Sequence, residues 1–375
     1  MTTGQESLDM HKKLKGKLEI KSKLQLKTKE DLSVAYTPGV AEVSSEIHKD
    51  KSKAYDYTIK ANTVAVISDG SAVLGLGNIG PEAALPVMEG KAILFKEFAD
   101  IDAFPICLKD QDTQKTIETI KNIAPVFGGI NLEDFKAPEC FEIEQALQDI
   151  GIPVMHDDQH GTAIVVLAGL INALKLKKIE NPKIIINGAG AAGIAITKII
   201  YDYGFENIIV IDSKGIIYKE RENLTKEKKQ IAEKTNSEKG DLSSALKNAD
   251  VFIGVSKPNI LTKEMVKLMN SNPIIFALSN PVPEIMPDLA KEAGAFIVAT
   301  GRSDFPNQIN NVLAFPGIFR GALDSGAKQI TDKMKLASAK ALANLIENPE
   351  PEKILPDPFD KRVVPAISEA VKSNK

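Results

Sequence analysis

The strongest constraint on the fold is a stretch near the middle of the chain that is predicted to form a strand, a glycine-rich turn, a helix and a second strand. An isoleucine-rich run over residues 183–187 is followed by Gly188-Ala189-Gly190-Ala191-Ala192-Gly193, which has the spacing GxGxxG. Residues 191–203 then show helical spacing, and a second apolar run over residues 207–211 ends at Asp212. A right-handed crossover makes two such strands parallel. The pattern predicts an α/β fold with a doubly wound parallel sheet and a dinucleotide site at this turn.

Each part of the turn has a physical role in such a site. Gly188 makes the tight turn, Gly190 lets the backbone approach the pyrophosphate, and Gly193 allows the helix to pack closely. The pyrophosphate rests on the helix N-terminus. Asp212 accepts from the ribose hydroxyls and favours NAD over NADP, because a carboxylate repels a 2′-phosphate, although Lys214 offsets part of that repulsion.

A second GxGxxG match, Gly75-Leu76-Gly77-Asn78-Ile79-Gly80, lacks this context. The predicted strand over residues 63–68 does not lead directly into it, and the next predicted strand, 103–108, has acidic residues before its start rather than after its end. This pattern favours a glycine-rich loop at a domain interface over a second nucleotide site.

Length and composition set the frame for these motifs. With 375 residues and a prior of about 150 residues per domain, the chain is expected to form two domains, which we place at 1–158 and 159–375. The first is expected to hold substrate and metal and to dimerise, and the second to bind NAD(P), with a C-terminal helical tail that packs back on the first. A net charge of −3 and 43% apolar residues are typical of a globular protein and imply no nucleic-acid partner.

Cysteine usage and apolar run length bear on the compartment. Cys107 and Cys140 are too few for a disulfide framework, which favours a reducing, cytoplasmic location. Apolar runs such as residues 162–174 fall short of the ~18 residues that a membrane span needs, so no membrane association is expected. The lysine-rich segment 12–29 is interleaved with leucines and is interpreted as a solvated face of packed structure.

Two acidic doublets follow predicted strands. Glu133-Asp134 comes after an apolar run over residues 126–132, and Asp157-Asp158 comes after a run over 152–155, with one helix expected at 137–149 between them. Parallel strands bring both doublets to one carboxyl edge, where α/β sheets bind ligands. Oxygen ligands from Glu133, Asp134 and one residue of the second doublet suit Mg²⁺ or Mn²⁺. Alternatively, each doublet caps the helix that follows it, and this interpretation stays open for Asp157.

Three other residue types are candidates for chemistry. Lys91 is placed at the end of the loop begun by the glycines, where burial and a nearby cation would lower its pKa toward that of a general base; the alternative is an ordinary lysine with its amine in water. Tyr36 lies in a turn-forming sequence that places its hydroxyl on a loop. His156 and His160 flank the second doublet and are interpreted as structural or as supporting a ligand.

Taken together, these motifs resemble the small form of the malic enzyme family, over nearly the whole chain. The matching segments are Ala35-Tyr36-Thr37-Pro38-Gly39-Val40-Ala41, Ser68-Asp69-Gly70, Glu133-Asp134-Phe135, His156-Asp157-Asp158-Gln159-His160-Gly161-Thr162-Ala163, Leu278-Ser279-Asn280-Pro281, Gly301-Arg302-Ser303-Asp304-Phe305-Pro306-Asn307-Gln308, Asn310-Asn311-Val312 and Phe315-Pro316-Gly317.

The resemblance implies oxidative decarboxylation of (S)-malate to pyruvate and CO₂, with decarboxylation of oxaloacetate as a further activity. It implies Lys91 as the base at the malate hydroxyl and Tyr36 as the acid that protonates carbon 3 of enolpyruvate. The metal ligands would be Glu133, Asp134 and Asp158. Asn280 and Asn311 would contact the substrate or the nicotinamide end of the cofactor, which is NAD or NADP.

One departure from the family pattern concerns the substrate carboxylate. Longer members carry an Arg shortly after the Asp-Gly, whereas Ser71-Ala72 stand here. Asn280, Asn311, backbone amides of the glycine-rich loop or a residue of a second subunit are the alternatives. The N-terminal arm resembles a dimer-forming arm, so a homodimer or higher homo-oligomer is expected, in which Tyr36 serves its own or a partner's site.

Two other functions compete with this interpretation. A metal-independent amino-acid or 2-hydroxy-acid dehydrogenase would use a similar two-domain architecture without the acidic doublets. A non-catalytic dinucleotide-sensing protein would not need Lys91, Tyr36 and the full set of acidic residues.

Overall fold

A computed structural model describes residues 2–73, 75–236 and 238–375. In this part of the chain the strands form two sheets. The first has four parallel strands in the order β2-β1-β3-β4. Its strands are β1 (Thr63–Ser68), β2 (Asp102–Cys107), β3 (Gly129–Leu132) and β4 (Val154–His156).

Seven helices precede or cross over this sheet in the described residues. They are α1 (Thr3–Leu14), α2 (Lys29–Ala35), α3 (Val40–Lys49), α4 (Ala54–Tyr57), α5 (Gly80–Ala99), α6 (Thr113–Ile123) and α7 (Glu139–Ala146). Helix α5 places Ala84, Met88, Ala92 and Phe95 on one buried face, at the spacing of a helix that packs on a sheet. Short 3₁₀ turns occupy Lys51–Lys53, Ile59–Asn62 and Ala124–Val126.

The first sixty residues differ from the rest of the chain. None of residues 2–62 is buried, although the segment contains four helices, and Thr28 and Asp31 form a capping box at the start of α2. Contacts from Lys17 tie it to α5, through its backbone amide to Glu89 and its amine to the carbonyl of Pro86. We call residues 2–62 the N-terminal arm.

The second sheet has six strands in the order β10-β9-β8-β5-β6-β7, all parallel except β7. The strands are β5 (Ile184–Asn187), β6 (Ile208–Asp212), β7 (Gly215–Ile216), β8 (Val251–Gly254), β9 (Ile274–Ala277) and β10 (Ile297–Thr300). The strand order reverses between β5 and β8, which is the position where open α/β sheets bind ligands.

Helices cover both faces of this sheet. They are α8 (Asp157–Lys177), α9 (Ala191–Tyr203), α10 (Lys226–Ala232), α11 (Leu242–Leu246), α12 (Lys263–Val266), α13 (Pro287–Glu292), α14 (Phe315–Ser325), α15 (Asp332–Asn344) and α16 (Val363–Lys372). Along β5, Ile184 and Ile186 face the core under α8 and α9, while Ile185 faces the core under α11 to α13. A 3₁₀ turn, Asn311–Leu313, precedes α14.

Helix α8 joins the two sheets, since it begins where β4 ends and packs against α9 and α15. By length and composition it is the one described helix that could cross a membrane, but 72% of its apolar window is buried inside the protein, as in a core helix. At the other end of the chain, the ring of Phe359 lies 5.6 Å from that of Phe98 on α5.

The structure confirms the α/β fold and the doubly wound parallel sheet, and α9 has the predicted bounds. One placement was wrong, because Lys91 lies in the middle of α5 and not at the end of a glycine-rich loop. The apolar spacing of residues 84, 88, 92 and 95 continues through Pro86 and Gly90, and this packing outweighs the two helix-breaking residues.

Candidate active site

The two acidic doublets lie at one edge of the first sheet. Strands β3 and β4 are parallel neighbours, and Leu132 is paired with His156. Glu133 and Asp157 are the next residues along these strands, so the doublets leave the sheet at the same level. The predicted meeting of the doublets at a carboxyl edge is therefore present in the structure.

Three carboxylates of these doublets converge. One oxygen atom each of Glu133, Asp134 and Asp158 lies within 4.8 Å of the others. The backbone N–H of Asp134 donates to Oδ2 of Asp158 at 2.8 Å, and Asp134 itself has a φ of 55°, in the left-handed region that Asp tolerates better than most residues. Oxygen donors at this spacing fit Mg²⁺ or Mn²⁺, and three protein ligands leave positions for substrate oxygens.

Lys91 reaches the same edge from α5. It is only 7% exposed, and its Nζ lies 2.6 Å from Oδ2 of Asp157 and 2.9 Å from Oε1 of Glu133. The aromatic ring of Phe315, the first residue of α14, lies with its centroid 4.3 Å from the same Nζ. The amine is thus held between one residue of each doublet and covered by an aromatic ring.

Without a cation, the pKa of Lys91 is shifted in the direction opposite to the one expected beside a cation. Burial alone lowers the pKa of Lys91, but the negative charges of Asp157, Glu133 and Asp158 outweigh burial and raise the pKa above its ordinary value. Burial raises the pKa of Glu133 to about 7, of Asp157 to about 7 and of Asp158 to about 6. The sequence analysis considered how burial and a cation affect the pKa of Lys91. It did not consider that Glu133 and Asp157 would lie against the amine of Lys91.

The capping interpretation of Asp157 is also wrong. Asp157 is the first residue of α8, the N-cap is His156, and no side chain caps this helix. One carboxylate oxygen of the fully buried Asp157 accepts from Lys91, and the other has no hydrogen-bond partner within the described residues. Gly161 leaves room for this arrangement, since a side chain there would collide with Asp157 and Asn311.

The two histidines belong to different environments. His160 Nε2 lies 3.0 Å from Oε2 of Glu144, a residue of α7 that also accepts from the backbone of His156 and from Gln159. His156 is fully buried, which lowers its pKa to about 4, and its Nε2 lies 3.9 Å from Oδ2 of Asp158.

The GxGxxG turn lies at the carboxyl end of β5 with the predicted geometry. Gly188 has a φ of 122°, which disfavours any side chain, and a Cβ on Gly193 would collide with the carbonyl of Gly188. Gly190 is the N-cap of α9 and offers no capping side chain, so the first N–H groups of that helix, beginning at Ala191 and Ala192, have no side-chain acceptor there. This is the arrangement that binds a pyrophosphate.

Asp212, at the end of β6, is enclosed by cations. Its Oδ2 accepts from Arg221 Nη2 at 2.5 Å and from Lys228 Nζ at 2.7 Å, and its Oδ1 accepts from the backbone of Lys214 at 2.9 Å. Burial opposes ionisation, but these hydrogen bonds outweigh it and lower the pKa of Asp212 to about 2. Arg221 and Lys228, rather than the side chain of Lys214, offset the charge of the carboxylate.

The two asparagines lie on the side of the second sheet. Asn280 follows β9, packs against Gly301, and its carbonyl lies near the site that a side chain on Gly75 would occupy. The glycine-rich loop that contains Gly75 therefore contacts the second sheet at Asn280-Pro281. Asn311 begins the 3₁₀ turn before α14. It lies beside Gly161, and Gly161 is on α8, one helical turn after Asp157.

Tyr36 is not brought to this edge within one chain. It lies between α2 and α3 in the N-terminal arm, as the sequence predicted, and is 66% exposed. Among the described residues, the amine of Lys91 contacts Asp157, Glu133 and Phe315, and Tyr36 is not one of these partners.

Sequence reasoning missed Asn131 and the contacts among Lys91, Asp157 and Phe315 at this edge. Asn131 on β3 donates to Oε2 of Glu133 at 2.8 Å, Asp157 pairs with Lys91, and Phe315 covers that pair. Asn131 carried a usable signal, because a polar residue inside an apolar strand two positions before Glu133 points to the same side of the sheet. The partners from α5 and α14 are distant in sequence and left no local pattern.

Comparisons with known proteins cover both sheets. A family profile described as "Malic enzyme, N-terminal domain" matches residues 15–148, and one described as "Malic enzyme, NAD binding domain" matches residues 159–372. A Bacillus subtilis protein named "Bifunctional malic/malolactic enzyme" is 57% identical over 379 residues, which cover 99% of this chain and 92% of that protein.

Two further relatives differ in length or cofactor. The NADP-dependent malic enzyme of Escherichia coli is 49% identical over 390 residues, which cover 98% of this chain and 51% of that protein. The crystal structure of an NAD-dependent malic enzyme from Thermotoga maritima has a TM-score of 0.95 and 53% sequence identity, covering 98% of this chain and 99% of that one.

Proposed function

This chain belongs to the malic enzyme family, and from that premise we propose that it oxidises (S)-malate and decarboxylates it to pyruvate and CO₂ in a reaction that depends on Mg²⁺ or Mn²⁺. It is an oxidoreductase with an NAD-binding domain. The further proposals are the metal requirement, the site residues, decarboxylation of oxaloacetate, and the division at residues 158/159.

The proposal rests mainly on one observation: a cluster of carboxylates and a buried lysine amine lie together at the carboxyl edge of the first sheet. The carboxylates of Glu133, Asp134 and Asp158 lie within 4.8 Å of one another, and Lys91 contacts Glu133 and the neighbouring Asp157. A simple dehydrogenase needs a base and a cofactor, but no cluster of buried acids. Decarboxylation in addition requires stabilisation of the negative charge that develops as CO₂ leaves.

We propose Glu133, Asp134 and Asp158 as the metal ligands. A bound divalent cation would polarise the hydroxyl and carboxylate oxygens of malate and stabilise the enolate charge after decarboxylation. Glu133 and Asp158 both have raised pKa values, so these buried carboxylates are unfavourable as anions without a compensating cation. Asn131 already holds one oxygen of Glu133, which fixes the orientation of that side chain.

We propose Lys91 as the base that accepts the proton of the malate hydroxyl. Its contact with Glu133 would weaken once Glu133 becomes a ligand, which leaves Asp157 as its carboxylate partner. Loss of that negative charge and the added positive charge nearby both lower the pKa of Lys91. Asp157 and Phe315 then hold the amine in place.

NAD(P) supplies the acceptor for the hydride of carbon 2. For its binding we propose residues 188–193, Asp212 and Asn280, at the switch between β5 and β8. Asn311 and Asn280 are proposed to contact the substrate, because both lie where the two sheets meet and the chain has Ser71-Ala72 in place of the Arg of longer relatives.

We propose a homodimer in which Tyr36 protonates carbon 3 of enolpyruvate in the partner's site. Tyr36 is exposed in an arm without a single buried residue, and an acid must lie near carbon 3. Mixing the inactive variants Tyr36→Phe and Lys91→Ala tests this, since mixed dimers would regain up to one intact site in two. No recovered activity after subunit exchange would contradict the exchange of Tyr36 between subunits.

Product analysis tests the proposed reaction. With malate, Mn²⁺ and NAD, we expect NADH and pyruvate in equal amounts, and the same measurement with NADP gives the preference between cofactors. Accumulation of oxaloacetate without pyruvate would indicate a dehydrogenase that does not decarboxylate. Neither NADH nor pyruvate would indicate a protein without this catalysis.

The Bacillus subtilis relative raises a second candidate activity, because its name includes malolactic enzyme. In that case the chain would also form lactate and CO₂ from malate, with NAD returned to its oxidised form. Lactate formed in the product analysis above would support this activity, and its absence would limit the chain to oxidative decarboxylation.

We propose a cytoplasmic location for the protein, based on the two free cysteines.

A further inference from the structure

Two fully buried polar side chains lie directly behind the candidate metal ligands. Asn131 and His156 are both 0% exposed. Asn131 is on β3, and its Nδ2 donates to Oε2 of Glu133 at 2.8 Å. His156 ends β4, and its Nε2 lies 3.9 Å from Oδ2 of Asp158. Each neighbouring strand thus carries one polar side chain beside one candidate ligand.

His156 has an unusual hydrogen-bonding state. Neither ring nitrogen has a hydrogen-bond partner among the described residues. Leaving a buried donor or acceptor unpaired is unfavourable, so such groups are rare and call for an explanation. Its backbone N–H donates to Glu144 at 2.9 Å, which fixes the end of the strand while the ring stays unpaired.

A carboxylate oxygen of Asp158 lies close to the ring, with Oδ2 3.9 Å from Nε2 of His156. Its Oδ2 accepts from the backbone of Asp134 and is about 1 Å too far from His156 for a hydrogen bond of ordinary length. A hydrogen bond between the two side chains therefore requires the Asp158 carboxylate to move toward the ring by about that distance. Metal-binding carboxylates commonly accept such a bond from a second residue, and losing it typically costs 10–100-fold in metal affinity.

We propose that His156 and Asn131 are positioning residues for the metal site, with His156 donating through Nε2 to Asp158 when the cation binds and Asn131 retaining its bond to Glu133. This inference rests on the ligand set of the proposed function. Asn131 keeps Oε2 of Glu133 in place while Oε1 exchanges Lys91 for the cation. His156 gains the partner that it lacks, which adds to the free energy of metal binding.

Calorimetric titration of the metal-stripped, full-length protein with Mn²⁺ tests the role of His156. Gln has an amide nitrogen at the position of Nε2, and Met has a similar size without a donor, so His156→Gln and His156→Met form a matched pair. We expect His156→Met to weaken Mn²⁺ binding 10–100-fold. His156→Gln is expected to stay within about threefold of the wild type, because it retains the donor.

Asp158→Asn separates this inference from the proposed function. If Asp158→Asn binds Mn²⁺ as the wild type does, the ligand set itself is wrong. If Asp158→Asn loses Mn²⁺ binding but His156→Met keeps it, only the positioning role is overturned. Equal weakening by His156→Gln and His156→Met would also overturn it, since shape rather than the donor would then matter.

A second measurement uses the wild-type protein and so does not depend on folding of the variants. In a ¹H–¹⁵N spectrum of protein labelled at its four histidines, Mg²⁺ is expected to bring a downfield Nε2–H signal of His156 that reports a hydrogen bond to a carboxylate. A His156 signal that does not change at saturating Mg²⁺ would contradict the proposal.

Discussion

At the scale of single residues, the chemistry depends on how Lys91 is held. Its amine is enclosed by Asp157, Glu133 and the ring of Phe315. These contacts fix its position, and the carboxylates raise its pKa. If Lys91 is the base and Glu133 a metal ligand, as we propose, the same carboxylates hold the amine and control when it loses its proton.

Replacing Lys91 by Met removes the amine and keeps most of the side-chain volume. We expect kcat for malate oxidation to fall by about 10²–10⁴, the usual contribution of a general base, with a smaller change in KM. Lys96→Met is the matched control, because Lys96 lies on the same helix, is solvent-exposed and, within the described part of the chain, forms its ion pairs with Asp100 and Asp102. A loss of less than tenfold in Lys91→Met would contradict the assignment of the base.

Removing Lys91 also leaves buried carboxylates without their partner, which typically costs about 3–5 kcal/mol of stability. Kinetics of this variant are therefore measured at a temperature where circular dichroism shows it to be folded.

Residues around Asp212 lead to a prediction about the cofactor. Because two cations, Arg221 and Lys228, pair with the single carboxylate of Asp212, we expect this end of the proposed cofactor site not to repel a 2′-phosphate. We expect Lys228→Gln to lower kcat/KM with NADP about tenfold, in keeping with the loss of one charge-assisted hydrogen bond, and to change kcat/KM with NAD by less than about threefold. Lys229→Gln is the control, since Lys229 is exposed on the same helix. Equal losses with both cofactors would show that Lys228 does not discriminate between them.

Sequence patterns identified residues whose role depends on their own strand or turn. The glycines of residues 188–193 and the two doublets follow strand ends, so local periodicity was enough to place them. Partners contributed by other elements could not be placed, because Asp157 meets Lys91 and Phe315 only after α5 and α14 pack together. The raised pKa of Lys91 in the absence of a cation follows from those contacts.

At the scale of elements, α7 and α8 are joined by one carboxylate. Glu144 accepts from the backbone of His156 and from the side chains of Gln159 and His160, so it ties α7 to the first turn of α8, which carries Asp157 and Asp158. Burial opposes ionisation of Glu144, but His160 and the cation Lys335 outweigh it and lower the pKa of Glu144 to about 2.

This contact predicts a pH-dependent stability. A carboxyl with a lowered pKa in the folded state stabilises the protein above its unfolded pKa of about 4.5, and that contribution is lost as pH falls from about 4.5 toward 2. We expect the free energy of unfolding, measured with urea, to fall more steeply over pH 5 to 3 in the wild type than in Glu144→Gln. Parallel curves for the two proteins would contradict the role of Glu144.

Element bounds show where periodicity succeeds and where it fails. Helix α9 was predicted to the residue because a glycine-rich turn and Gly204 mark its ends. Helix α5 was missed in part because Pro86 and Gly90 interrupt its sequence, whereas its buried face continues past both. The start of α8 at Asp157 could not be predicted from the sequence either, because no side chain caps the N-terminus of this helix.

At the scale of the whole molecule, the N-terminal arm exposes apolar side chains that a stable fold normally covers. Ile20 is 89% exposed and Val34 is 79% exposed, and neither has a cover within the described chain. Burying such groups stabilises an interface by roughly 25 cal/mol per Å² of apolar surface. The sequence predicted dimerisation only through family resemblance, since an amphipathic arm looks the same whether its apolar face meets its own chain or another.

Charges placed on the arm test the proposed dimer. We expect Ile20→Asp/Val34→Asp to shift the mass measured by light scattering from dimer toward monomer and to reduce malate oxidation, since Tyr36 would then lack its place in the partner's site. Leu289→Asp is the control, because Leu289 is an exposed apolar residue on α13, outside the arm. A wild-type protein that is already monomeric and active would contradict the dimer and the exchange of Tyr36.

The metal requirement is the part of the proposed function on which the other assignments depend: we propose that the acidic edge of the first sheet binds a divalent cation and that malate oxidation needs it. The most direct measurement counts bound Mn²⁺ by electron paramagnetic resonance and follows NADH formation from malate in the same samples. We predict one Mn²⁺ per chain in the wild type, loss of both signals on adding EDTA and their return with Mn²⁺, and neither signal in Glu133→Gln/Asp158→Asn. Full malate oxidation in EDTA, or undiminished Mn²⁺ binding by that variant, would contradict the account.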